Sequence, residues 1–181
     1  MSTVYWLLLA QGIVGAFDTL YFHEWRARLP ARVPDSSPEL KLHALRDFIY
    51  AILFGTLPWL AWHGAFAVLL ALMLLAEIVI TLADFVVEAR VRRMFGDVYR
   101  GERVTHAVMG IVYGAMLASF VPMLWVWRSQ PTGLLRIDAT DMTSLRWVLS
   151  VMAVGVFLSG ARDLFALTGS SAGRWPWSQV P

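Results

Sequence analysis

Between Gly64 and Asp84 the chain carries one charged residue, Glu77, in a run that begins AFAVLLALMLLA. An apolar run of about 20 residues matches the hydrocarbon thickness of a bilayer when it is wound as a helix. Four further stretches have the same character, so spanning helices are expected at about 3–22, 42–62, 64–89, 104–127 and 145–167. Composition agrees: 58% of the 181 residues are hydrophobic and 15% are charged, against about 25% charged in a soluble domain. A soluble globular domain and a disordered chain are both excluded on these figures. The expected fold is all-α: a polytopic integral membrane protein, a bundle of about five transmembrane helices forming one domain over 1–168. Residues 169–181, rich in Ser, Gly and Pro, read as a short cytoplasmic tail. No Lys or Arg precedes the first apolar run, so it reads as a retained helix rather than a signal peptide.

Charge sets the orientation. Placing the connections 23–42 and 90–103 and the carboxyl-terminal end on one side gathers twelve of the fifteen Lys and Arg there. Only Arg128, Arg136 and Arg146 fall on the other. Basic connections stay in the cytoplasm, so the amino terminus is expected outside and the carboxyl terminus inside, in a bacterial-type plasma membrane. Trp6, Trp59, Trp62, Trp125, Trp127 and Trp147 lie near the ends of the apolar stretches, as in an interfacial aromatic belt. The net charge of +2 includes no basic patch interleaved with aromatics, so the expected partner is the bilayer and not nucleic acid. The absence of Cys excludes disulfides, thiolate metal sites and iron–sulfur clusters.

Ionisable residues inside a span are costly and face the bundle interior or a wet cavity. Here Asp18, His23, Glu24, His43, Asp47, Asp84, Glu88, Glu102, His106, Arg162 and Asp163 all fall near the cytoplasmic ends of the expected helices. Only Glu77 lies near mid-membrane, roughly 10 Å deeper than Asp84 at about 1.5 Å per residue. His43 and Asp47, Asp84 and Glu88, and Glu102 and His106 are each four residues apart, a spacing that puts both members on one helix face. Three helices can therefore each aim two ligand-type side chains at one layer, and the first can add Asp18 or His23. Glu24, Glu88 and Glu102 also neighbour arginines, which alone would make them solvated charges at the membrane edge. Gly110 and Gly114 form a Gly-x3-Gly pair expected to allow close helix packing. His63, beside Trp62 in a tight turn at 62–64, reads as interfacial.

Imidazoles mixed with several carboxylates suit a divalent ion, iron, manganese or zinc, and a di-metal site is compatible with the number of groups. The expected metal ligands are Asp18, His23, His43, Asp47, Asp84 and His106. Glu88 and Glu102 are the candidate catalytic acid–base groups, and Arg162 is placed to hold an anionic group. The Glu-x-x-His signature of carboxylate-bridged di-iron bundles is missing, and the string at His23 lacks the second His of a zincin. The expectation is a metal-dependent oxidoreductase or hydrolase acting on a lipid-like or small hydrophobic substrate at the cytoplasmic side. Two alternatives stand beside it. The stripe Glu77, Asp84 and Glu88 suits a proton- or cation-coupled carrier. His43 and His106 at equal depth suit a haem-binding or assembly subunit.

Overall fold

The computed structural model describes residues 1–138 and 142–170. Among these residues the chain is helical apart from its turns and one short two-stranded ribbon. Its elements are α1 (Ser2–Phe17), α2 (Ser37–Thr56), β1 (Leu60–His63), α3 (Ala65–Val91), α4 (Arg100–Arg128), β2 (Gly133–Arg136) and α5 (Thr143–Leu167). Helix α1 runs without interruption into a π-helical segment, Asp18–Ala27, so the continuous rod ends five residues later than expected from the apolar run. Four rods are long and apolar enough to cross a membrane: Ser2–Ala27, Ala65–Phe95, Arg100–Arg128 and Thr143–Leu167.

Helix α2 differs from the expected span at 42–62. It starts earlier, where Pro38 takes a first-turn position and Glu39 follows in the first turn. Proline has no N–H to lose there, and an acidic residue meets the positive end of the helix. It also stops earlier, at Thr56, because Pro58 cannot continue the helical hydrogen-bond ladder. With Glu39, Lys41, Arg46 and Asp47 among its first eleven residues, α2 is too polar to join the four membrane-length rods. It lies between α3 and α5 instead, with Glu39 and Arg46 buried and Lys41 exposed. Gly160 of α5 makes the close approach possible, since a Cβ there would stand 3.1 Å from the carbonyl oxygen of Ala44.

The segment 62–64 is not a tight turn on its own. Leu60–His63 pairs antiparallel with Gly133–Arg136, with Leu60 opposite Arg136 and His63 opposite Gly133. The ribbon closes one end of the bundle. There Trp59 donates to the Ser150 hydroxyl (2.8 Å), and the Arg146 guanidinium lies over the Trp59 ring at 4.3 Å. The core runs inward from this end through Leu8, Leu53, Leu57, Leu70, Met116, Phe120 and Leu149. Facing outward are large apolar side chains with nothing covering them, among them Leu72, Val79, Val86, Ile111 and Val151. The tail expected at 169–181 lies beyond residue 170 outside the described residues.

Candidate metal centre

The end of the bundle opposite the ribbon is built from the π segment, the start of α2, the end of α3, the start of α4 and the end of α5. Each brings ionisable side chains inward. Glu24, Glu88 and Glu102 are 3%, 5% and 0% exposed, so none of them is a solvated charge at an edge. By contrast, the pair formed by Asp97, in the connection before α4, and Arg103, in its first turn, is open to solvent and stands apart from this layer.

At the centre are Asp18, His23 and His106. Asp18 Oδ2 lies 3.3 Å from His23 Nε2 and 3.1 Å from His106 Nε2. Ligands at about 2.1 Å from a shared ion stand about 3.0 Å apart at right angles and about 3.4 Å apart in a tetrahedron. Both separations fall in that interval. His23 Nε2 is also 3.2 Å from Glu102 Oε1, yet it has no hydrogen-bond partner of acceptable geometry. Asp18 Oδ1 and Glu88 Oε1 are likewise buried without a partner. Glu88 Oε2 stands 3.5 Å from His106 Nδ1. A carboxylate in that position fixes ring orientation and leaves Nε2 to face an ion.

The pairing of Asp18 with His23 depends on the π winding. In an α-helix, residues five apart point about 140° away from each other. A π segment bonds residue i to i+5 and so stacks them on one face. Glu102 is placed by the start of α4, where its Oε2 accepts from the Tyr99 backbone N–H at 3.4 Å.

The remaining groups form pairs around this centre. His43 Nε2 is 3.1 Å from Asp84 Oδ2, and Arg46 Nη1 is 3.3 Å from the same oxygen. The His23 and His43 rings stack at 4.4 Å with 8° between their planes. An imidazole ligates through a lone pair in its own plane, so two parallel stacked rings do not share one ion. Arg92, 1% exposed, bridges Glu39 (2.9 Å) and Glu102 (2.8 Å). Five carboxylates, those of Asp18, Glu39, Asp84, Glu88 and Glu102, thus meet two guanidiniums, Arg46 and Arg92. The imidazoles of His23, His43 and His106 stand among these carboxylates. Buried His/Asp/Glu atoms come within reach of a shared ion in three overlapping groups, Asp18, His23 and His106; His23, Glu39 and His43; and Glu88, Glu102 and His106, of which the second is disfavoured by the stacking of its two rings.

Of the residues singled out in the sequence, Asp18, His23, His43, Asp84, Glu88, Glu102 and His106 come together. Asp47 does not. It turns to the α5 side, beside Asp163 and Ser159, because residues at i and i+4 share a stripe that is wide enough to serve two neighbours. Arg162 pairs with Glu24 and, at 2.9 Å, with Asp163, in the wall of a cavity between α1, α2 and α5. Glu39 and Arg92 were missed. Glu39-x3-His43 repeats the same four-residue spacing, so Glu39 was within reach of the pattern once the Pro38 start signal was used.

Two cavities flank the centre. The larger, about 560 Å³, lies between α1, α2 and α5, mostly apolar, with Asp18, Arg46, Asp47 and Arg162 in its wall. The smaller, about 300 Å³, lies beside α3 and α4 and reaches His106. Gly110 and Gly114 line it, and a Cβ at either would meet no atom within 4 Å. This pair opens a space and does not seat a neighbouring helix. Glu77 lines the same cavity and is held by hydroxyls. Tyr50 and Thr81 each donate to its Oε1 at 3.0 Å, and Gln11 Nε2 donates to the Tyr50 oxygen at 3.1 Å. Comparison of the chain with protein-family models, with curated proteins and with solved structures gave no match.

Proposed function

We propose that this chain is an integral membrane protein that binds a divalent metal ion, iron, manganese or zinc, on Asp18, His23 and His106, and acts as a metal-dependent enzyme on a lipid-like substrate at the cytoplasmic side. The observation that carries the reading is the convergence of two imidazoles and one carboxylate at ligand spacing, with buried Glu88 and Glu102 beside them. Two His and one carboxylate with open positions is the donor set of non-haem iron oxygenases, and two His with one Glu that of hydrolytic zinc sites. A bound ion would supply Lewis acidity, an activated water, or redox chemistry. Glu102 and Glu88 are then placed to move protons beside it.

Both cavities support this reading, since the larger has Asp18 in its wall and the smaller has His106. An apolar chamber opening between helices suits a substrate that arrives from the bilayer. The uncovered apolar faces of α3, α4 and α5 support insertion, because soluble monomers rarely expose apolar patches of this extent. A carrier has less support. Beyond Glu77 the route toward the ribbon end is lined by the apolar core, so no polar path crosses the bundle among the described residues.

Elemental analysis of the protein purified in detergent is expected to find a divalent transition metal in stoichiometric amount. A metal-free protein with intact fold would defeat the reading. The orientation is tested separately. A reporter active only in the cytoplasm should work when inserted near Pro34, and fail near Pro131. Activity at Pro131 would place the metal layer on the outside.

A further inference from the structure

The larger cavity carries a charge pattern that selects among amphiphiles. Its volume of about 560 Å³ falls within the roughly 300–1,000 Å³ of small-molecule sites. The walls are mostly apolar, with Phe54, Met109, Met152 and Leu158 among them, and the charged groups Asp18, Arg46, Asp47 and Arg162 belong to the end opposite the ribbon. Both guanidiniums at that end are already engaged. Arg46 is held by Asp84, and Arg162 by Glu24 and Asp163. Asp47 is different: it forms no ion pair within 4 Å among the described residues, and its carboxylate, within hydrogen-bonding reach of Ser159, lies between the charge of Arg46 and another carboxylate, Asp163. Two further acceptors on residues of the wall, Gln11 Oε1 and Asp18 Oδ1, are buried without a hydrogen-bond partner. Around Asp47 each guanidinium of the wall is thus paired with a carboxylate, and the carboxylates of Asp47 and Asp18 are left as acceptors.

We propose that the chamber between α1, α2 and α5 binds an amphiphile with a protonated amine head, the ammonium sitting against Asp47 and the alkyl chain along the apolar wall. This rests on the lipid-like-substrate reading above and specifies the class of head group. It also gives Asp47 a place: the sequence pattern assigned it to a metal, and the structure puts it in the wall of the ligand chamber.

The test uses the full chain in phosphatidylcholine nanodiscs, titrated calorimetrically against empty nanodiscs with dodecylamine, dodecanol and dodecyl phosphate. Dodecylamine should bind saturably and about tenfold or more tighter than the other two, the scale of one charge-assisted hydrogen bond. In Asp47→Asn that advantage should vanish, leaving amine and alcohol alike. Gly155→Leu places bulk where a Cβ meets no atom within 4 Å, in the chamber wall, and should abolish amine binding with the fold intact. Equal affinity for the three probes, tighter binding of the phosphate, or an amine preference that survives Asp47→Asn would each overturn the proposal. Metal content read on the same samples separates the two readings. Amine selectivity in a protein without metal defeats the metal-dependent function alone, and stoichiometric metal without amine selectivity defeats the head-group assignment alone.

Discussion

His23→Ala and His106→Ala are each expected to lower bound metal at least about tenfold, the scale seen even when residues behind the ligands are lost. Each removes one nitrogen that stands 3.1–3.3 Å from Asp18 Oδ2, and three protein ligands leave little redundancy. Asp18→Asn should do the same, since the amide keeps the shape but not the charge. Glu88→Gln should lose less, because Glu88 contacts His106 through Nδ1 and not at the proposed ligand atom. His63→Ala is the control: His63 lies in β1 at the opposite end of the bundle, its ring 5.9 Å from that of Trp127, and metal content should not change. Equal metal content in His106→Ala and His63→Ala would refute the ligand assignment.

Arg92→Met is expected to cost about 3–5 kcal/mol of stability, the usual result of removing one partner of a buried ion pair. The guanidinium is 1% exposed and is shared by Glu39 and Glu102, both fully buried. Without it two carboxylates lose their counter-charge together. Adding Glu39→Gln to Arg92→Met should recover part of the loss, because one of those charges is then gone. Thermal unfolding in detergent reads both variants. A loss under about 1 kcal/mol for Arg92→Met would show that the carboxylates are neutralised by other means.

Much of the architecture was legible because it depends on local composition. An apolar run long enough for a bilayer announces a helix whatever its neighbours, and α3, α4 and α5 sit close to their expected positions. The ionisable layer was legible for the same reason: residues near equivalent ends of antiparallel helices come to one depth without any knowledge of packing. The second helix was misjudged at both ends, and both errors were readable, in Pro38 as a start and Pro58 as a stop.

What the amino-acid sequence by itself determined is therefore the class of structure, the helices and the level at which the polar groups gather. Depth follows from counting residues along a rod. The tertiary structure alone decided which of those groups face one another, since that depends on rotation about each rod and on winding. The π segment turned Asp18 and His23 onto one face, where regular α-helical winding would have separated them. The close approach of α2 and α5 at Gly160 drew Asp47 away from His43 and into the wall of a cavity. Arg92, one of a run of arginines in what read as a basic cytoplasmic connection, folded inward to join Glu39 and Glu102. The ribbon joins residues some seventy positions apart. Each of these outcomes rests on contacts between distant segments, whose energies no local pattern records.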